Sequence, residues 1–532
     1  MVLMKTKLLK ILSCKTIILC FAISSQVYAI TKPQLKYDFR QNKKGMKVQA
    51  CLHNHGNQEI LWLLPSMVEQ NKDQSFEVIT DTKKYVKPKY DYIETSSNTQ
   101  KTCITYTLEN YKGWYNQYFQ DISEDSFLIF GHYISLIIPE SIFDNNEKID
   151  VAFNWHNFTK DVISNLDDIN HKKQYSLTLK EFETLYFAKG YETLYTDKSK
   201  KNKWIYPEKH HKVLSQLMAR LKKINNWLKE HINPRDTRNH FIFVENNYKT
   251  HANPGSGYDN NKDFVQVVGI NKDQAIDKAL MRTFTHEYVH KIIGCTIRFK
   301  PENYSKEWWF KEGFVDFLTS QILLETNIWN IEDYMNFYNE RIYKYFAFGM
   351  NKYKLSDMYK PMYEEAGYIA GMLYAAKLNE LIISNSNGSK SMSDFIADFQ
   401  YLFINDANLY FSESLFEKKW KEFIQAPFPS IQKVLDTNSL ISPKLLSGKL
   451  SIKSKKMQLP KYEHDFYELV STMRLNNKNI IAIMPSSTDP YVLNMKLIDD
   501  ENNKIEEFTL KPNYKTETIP QYELSPNKID QK

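Results

Sequence analysis

Apolar positions along this chain change their period from one region to the next. Short runs cover Met46–Leu52, Glu59–Leu64, Lys101–Leu108, Phe127–Ile138 and Lys148–Trp155, broken by polar stretches rich in Asn and Asp. Runs of that length, rich in Val, Ile, Phe, Tyr and Thr, predict β-strands. Glycine is scarce, with 15 in 532 residues, so Asn and Asp must make many of the turns. Residues 30–190 therefore read as a β-sandwich-like domain, followed by a polar linker at Tyr195–Lys203. Then the period becomes 3.6. Val213, Leu214, Leu217, Met218, Leu221, Ile224, Trp227 and Leu228 form one stripe and predict a helix over 209–232. Strands are expected at Asn239–Glu245 and Asp263–Val268. A second helix should open near Asp273, a residue suited to the N-cap, and end at Gly294. Residues 331–440 read mainly as helix. From 441 the alternation returns and predicts a small β domain.

The second helix is apolar around most of its circumference through Ala279, Leu280, Phe284, Val289, Ile292 and Ile293, so it should be buried. Yet it carries His286, Glu287 and His290. Histidines four apart share one helix face and can reach one tetrahedral Zn²⁺. The glutamate between them would lie beside a metal-activated water and serve as general base. A metal explains why a buried helix tolerates these groups; the alternative is a surface helix with solvated histidines. A catalytic zinc takes a third protein ligand. Glu312 is placed for it, after 21 intervening residues from His290, in the tract Trp308-Trp309-Phe310-Lys311-Glu312-Gly313-Phe314-Val315-Asp316-Phe317. Asp316, one turn further, could accept the free ring N–H of a ligating histidine.

His286 to His290, followed by Glu312-Gly313-Phe314, resembles the gluzincin zinc peptidases. Within them the tract is most similar to the glycyl aminopeptidase family, relatives of aminopeptidase N and leukotriene hydrolase. Arg298 and Pro301 and the run Trp309–Phe317 carry the likeness, which is best over 250–380. The resemblance implies one Zn²⁺ per chain, a peptide or protein substrate and a thermolysin-like catalytic domain. It also implies an amine-binding loop before the zinc helix, for which Gly255-Ser256-Gly257-Tyr258-Asp259-Asn260 stands in place. There Gly257 and Asp259 are the substrate-binding expectation, with Asp259 one methylene shorter than the family's glutamate. A plain turn is the alternative. Relatives carry an oxyanion-stabilising tyrosine in a Y-x-K-G motif. The nearest match is Tyr363 in Met362–Gly367, without the lysine, and Tyr359 and Tyr368 are lesser choices. The family's terminal PDZ domain has no recognisable loop here.

The N-terminus adds a compartment. Lys5, Lys7, Lys10 and Lys15 precede or flank the apolar run Thr16–Ile23, and Val27-Tyr28-Ala29 offers a cleavage site. This reads as a secretory signal over 1–29, too short to span a bilayer. Cleavage near Ala29 would leave a periplasmic or secreted chain with no integral membrane segment. It would also remove four lysines, lowering the formal charge from +7 to +3, which gives no case for nucleic acid. Of the cysteines left, Cys51 and Cys103 lie in strand-like segments and could pair, with Cys295 odd. The expected whole is multidomain α+β: the β-sandwich-like domain 30–190, a thermolysin-like zincin catalytic domain 204–335, a helical domain 336–440 and a small C-terminal β domain 441–532. The expected activity is peptide hydrolysis, of aminopeptidase type. Endopeptidase action, another hydrolysis on the same zinc site, or noncatalytic peptide binding with zinc retained are the alternatives.

Overall fold

The computed structural model describes most of residues 33–428, and the backbone of strands within 450–526. Outside the described residues lie 1–32, 65–75, 109–120, 351–354, 356–363, 429–449, 463–477, 527–532 and shorter loops between elements. The signal segment, Tyr359 and Tyr363 fall among these. No helix of the described residues is long and apolar enough to cross a membrane. The chain is multidomain α+β and divides into two compact units, at Tyr191/Glu192.

The first unit contains β1 (Gln34–Asn42), β2 (Gly45–His53), β3 (Ile60–Leu63), β4 (Phe76–Ile79), β5 (Lys83–Val86), β6 (Tyr92–Thr95), β7 (Lys101–Leu108), β8 (Asp121–Ile122), β9 (Phe127–Phe130), β10 (Ile138–Pro139), β11 (Ile149–His156), β12 (Ile163–Ser164), β13 (Tyr175–Leu177), a short helix α1 (Leu179–Glu183) and β14 (Tyr186–Lys189). They form sheets in the orders β13-β11-β1-β2-β7-β4-β5, β10-β3-β6 and β12-β14-β9-β8. One core joins all three: Leu35, Tyr37 and Phe39 alternate inward from β1 and meet Trp62, Ile93, Ile129 and Phe187. The stretch expected as a single strand, Phe127–Ile138, is two short strands in different sheets. Cys51 and Cys103 face each other across β2 and β7 and are joined as a disulfide.

The second unit holds the histidine helix. It begins with β15 (Glu192–Tyr195) and β16 (Asn202–Tyr206), so both ends of the expected linker Tyr195–Lys203 are paired strands; 196–201 lie outside the described residues. Helix α2 (His211–His231) and strands β17 (Asn239–Asn246), β18 (Gly255–Asp259) and β19 (Asp263–Ile270) follow. The sheet order is β15-β16-β17-β19-β18, which makes β18 an edge. Then come α3 (Lys278–Val289), α4 (Tyr304–Trp308), a π-helical turn at Trp309–Gly313, α5 (Phe314–Glu325), α6 (Ile331–Ala347), α7 (Glu364–Asn385), α8 (Met392–Asn405) and α9 (Glu413–Ile424). Strands β20 (Leu450–Tyr462), β21 (Lys478–Pro485), β22 (Leu493–Asp499), β23 (Ile505–Leu510) and β24 (Pro512–Pro526) form two small antiparallel sheets.

Two expectations need correction. The boundary placed at 335/336 falls inside α6, and residues from Trp204 to Trp420 share one hydrophobic core. A helical domain is therefore not separated from the histidine helix: the apolar faces of α6–α9 are buried against the same elements. The helix itself starts at Lys278, where the Asp277 carboxylate caps the Leu280 N–H at 2.8 Å, not at Asp273. It ends at Val289 rather than running to Gly294.

Candidate metal centre

The sheet fixes the position of α3. Trp204 of β16 stacks on Phe284 at 5.9 Å, and buried Gln266 of β19 donates to the Phe284 carbonyl at 2.8 Å. That hydrogen bond satisfies a polar side chain inside the core and ties the helix to the strand. With Leu280, Met281, Phe284 and Val289 turned into the core, His286 and His290 share the opposite requirement, a buried polar niche.

The turn after the helix completes it. His290 caps α3, and the chain turns back through Gly294, whose φ of +123° favours glycine. This turn aims the Ile293 carbonyl at His290, whose Nδ1 donates to it at 2.9 Å. His286 Nδ1 donates to Asp316 Oδ1, also at 2.9 Å. Both rings therefore carry their proton on Nδ1. Their Nε2 lone pairs point inward, 3.2 Å from each other and each 3.1 Å from Glu312 Oε2.

Three lone pairs converging on one point repel unless a cation lies between them. Ligand atoms about 2.0–2.1 Å from a tetrahedral Zn²⁺ stand roughly 3.3–3.4 Å apart. The observed triangle is close to that edge. His286, His290 and Glu312, all buried, form the one cluster of potential metal ligands among the described residues.

The electrostatics agree. Burial pushes His286 down, but the carboxylates of Asp316 and Glu312 overcome it and raise its pKa to about 10. A niche that raises a buried imidazole so far strongly favours positive charge, whether a proton or a metal ion supplies it. Glu312 and Asp316 both stay ionised against burial. Glu312 is held well below its ordinary range by His290 and His286, and Asp316 by Arg282, Arg341 and His286. Glu287, partly exposed beside the triad, moves the other way: desolvation raises it, against the pull of His290 and His286.

Glu312 reaches the histidines from the π turn between α4 and α5. The helix is broad there because α7 passes very close. Gly371 of α7 lies directly against the Trp309 carbonyl and the Cα of Gly313. Tyr368, on the same helix, stacks on His286 at 5.6 Å; burial, with the Glu312 carboxylate nearby, raises its pKa well above the ordinary tyrosine value. Tyr368 is thus the tyrosine seen at the centre, whereas Tyr363 is outside the described residues. The segment expected as an amine-binding loop is the edge strand β18, with Gly257 opposite Gln266 and Asp259 opposite Phe264 on β19. It lies beside α3. Its side chains are not among those described.

Three participants were not anticipated. Arg282 and Arg341 both reach Asp316, at 3.4 and 3.0 Å. Arg282 is four residues before His286, so helical spacing places it on the His286 face. Arg341 comes from a distant helix and carried no local signal. Gly371 was hidden among the ordinary glycines.

Residues 279–365 match the model of the M61 glycyl aminopeptidase family. The matched stretch includes His286, His290, Glu312 and Asp316, so the similarity falls on the candidate metal centre. The overall fold of this chain is similar to that of an aminopeptidase N family protein from Idiomarina loihiensis, with a TM-score of 0.59 and 12% identity over 94% of this chain and 98% of that one. At that identity the likeness concerns fold alone. Legionella pneumophila aminopeptidase A, solved with aspartic acid, has a TM-score of 0.46 and 12% identity, over 93% of this chain and 58% of that one. An M1 zinc metallopeptidase from Deinococcus radiodurans has 0.43 and 10%, over 76% and 92%. Both are too distant in shape to bear on the site. No curated protein matches the sequence significantly.

Proposed function

We propose that this chain is an exported zinc aminopeptidase of the M61 type, holding one Zn²⁺ on His286, His290 and Glu312. The observation that carries the metal reading is the convergence of two Nε2 atoms and one carboxylate oxygen within 3.2 Å, with both Nδ1 protons committed elsewhere. When bound, Zn²⁺ supplies Lewis acidity for the scissile carbonyl and for water.

The chain's own residues do the remaining work. Glu287 takes the proton of the attacking water and returns it to the leaving amine. Burial raises its pKa against the pull of His290 and His286, which favours its taking up a proton. Asp316 keeps the His286 proton on Nδ1, so the Nε2 lone pair stays available. Among the described residues β18 has no strand paired on its outer side, where an extended peptide can add as a further strand. Asp259, at the end of that strand, would take the substrate's free ammonium, with Gly257 letting the backbone approach. Tyr363 would donate to the developing oxyanion. Tyr368, stacked on His286, would brace that ligand. The disulfide in the first unit supports export into an oxidising compartment, as the signal-like segment 1–29 does.

The test uses the purified mature chain. Elemental analysis should give one zinc, lost in His290→Ala. Peptides with free N-termini should be cut faster than their acetylated versions, and the preference should shrink roughly tenfold in Asp259→Asn. Equal cleavage of both, at internal bonds, would mark an endopeptidase and return Asp259 to the strand. Zinc binding without hydrolysis of any peptide would leave a binding protein. Tyr363→Phe should lower kcat, whereas Tyr368→Phe should chiefly weaken zinc.

A further inference from the structure

Asp316 is fully buried, and a carboxylate in that setting costs several kcal/mol unless it is well paired. Its two oxygens are divided between different tasks. Oδ1 accepts from His286 Nδ1 at 2.9 Å. Oδ2 faces two guanidinium groups: Arg341 Nη2 at 3.0 Å and Arg282 Nη2 at 3.4 Å. The side chain of Arg341 is 4% exposed and that of Arg282 36%. Both guanidinium groups also rest on one ring, Phe337, at 4.6 and 4.8 Å from its centroid. Two like charges this close need two opposite ones. Asp316 is the buried one; Glu340, paired with Lys344 at 3.0 Å, is lowered first by that lysine and then by Arg341 and Arg282.

We infer that Arg341, assisted by Arg282, is a positioning residue for the metal centre: it fixes the Asp316 carboxylate so that Oδ1 orients His286. The inference rests on the zinc reading proposed above. A carboxylate can rotate about its Cβ–Cγ bond, and a single imidazole N–H does not stop it. Oδ2 locked by a buried guanidinium does, and leaves one oxygen for the histidine. Both guanidinium groups lie against the Phe337 ring, where cation–π attraction offsets part of their desolvation. The array also spans α3, α5 and α6. The orientation of a ligand on α3 thus depends on the docking of α6, a helix that contributes no ligand.

The experiment measures zinc affinity by chelator competition in the full mature chain. Chemical denaturation of the metal-free proteins checks folding. Arg341→Gln should weaken zinc about 10–100-fold, the range for lost outer-sphere support. Arg282→Gln should cost less, roughly 3–10-fold, since its contact is longer and wetter. Arg341→Lys should recover part of the loss, because a point charge lacks the planar fork. In an Asp316→Asn background, Arg341→Gln should change zinc affinity by less than about threefold, since the arginine acts through that carboxylate. A purely structural arginine would give the same loss in both backgrounds, which would overturn the inference. So would folded Arg341→Gln and Arg282→Gln proteins that bind zinc within twofold of wild type. If Arg341→Gln does not fold, Arg282→Gln decides by the same criterion. Wild-type protein that binds no zinc would overturn the metal reading itself, and this inference with it.

Discussion

Replacing Gly371 by Ala opposes two effects of opposite sign. Gly371 lies in the interior of α7, where Ala is intrinsically favoured by about 1 kcal/mol. Propensity alone therefore makes the variant more stable. The packing says otherwise. A Cβ at 371 would stand 2.0 Å from the Trp309 carbonyl oxygen, 2.8 Å from its carbon and 3.0 Å from Gly313 Cα. These atoms are backbone, so no rotamer change relieves the clash. Ordinary contact requires the two segments to part by roughly 1 Å or more. Overpacking of that kind costs about 1–3 kcal/mol, and a rigid backbone contact should lie at the upper end. The net expectation is a loss of about 1–2 kcal/mol. The site should suffer as well, because the displaced turn carries Glu312, 3.1 Å from both imidazoles. Functional geometry tolerates shifts of only ~0.5 Å, so zinc affinity should fall at least about tenfold. Urea denaturation of the metal-free protein and chelator competition read the two effects separately. A variant that gains about 1 kcal/mol and keeps its zinc affinity would refute the packing argument.

Glu287→Gln should keep the fold and the zinc yet lose at least ~10²-fold in hydrolysis; near-normal turnover would remove Glu287 from the general-base role. Replacing Cys51 and Cys103 by Ser opens a cross-link between residues 52 apart. The first unit should then lose about 2–4 kcal/mol in denaturation under oxidising conditions, and an unchanged midpoint would count against the bond. Glu307 is buried, its Oε2 has no hydrogen-bond partner among the described residues, and burial, with Glu302 nearby, raises its pKa to about 7. An acid raised in the folded state binds more protons there than when unfolded, so stability falls as pH rises from about 4.5 through 7. Glu307→Gln should be more stable than wild type at pH 8, by about 1 kcal/mol after discounting for solvent screening, and the difference should vanish near pH 4. Equal stabilisation at both pH values would show that charge is not the cause.

The convergence of His286, His290 and Glu312 was legible because such a candidate metal set is encoded at fixed spacing. His286 and His290 are one helical turn apart, and Glu312 and Asp316 stand in one aromatic tract. Both elements also showed apolar patterning strong enough to predict burial. The hydrogen bond from His286 to Asp316 followed from the need to fix a ligand's tautomer. Helix boundaries were read less well. Asp273 and Asp277 are both acceptable caps, and only the observed hydrogen bond to the Leu280 N–H distinguishes them. The boundary set at 335 failed for a different reason. Apolar stripes on α6 and α7 reveal that a face is buried but not against which element. Arg341 was beyond reach on the same ground: an arginine on an amphipathic helix reads as solvated until the carboxylate it meets is known. The edge strand at Gly255–Asp259 was mistaken for a loop because glycine and aspartate are turn residues by composition, yet a strand can use glycine where another backbone approaches.

The π turn at Trp309–Gly313 explains how these features depend on one another. A continuous helix through 304–325 would keep one regular register from Tyr304 to Glu325. The extra residue in the π turn widens it and shifts everything before it relative to everything after it. Asp316, in the regular helix, must reach the outer nitrogen of His286, while Glu312, within the turn, must reach the inner nitrogens of two histidines. One residue of slack between the two carboxylates lets each meet its partner without stretching. A π turn is less stable than the α-helix it interrupts, so something must hold it open. Gly371 lets α7 approach closely enough to do that from one side. From the other, Arg341 holds Asp316 and with it the start of α5. Glu312 is thus held between two contacts, neither of which touches the metal position, and loss of either should loosen the same ligand set.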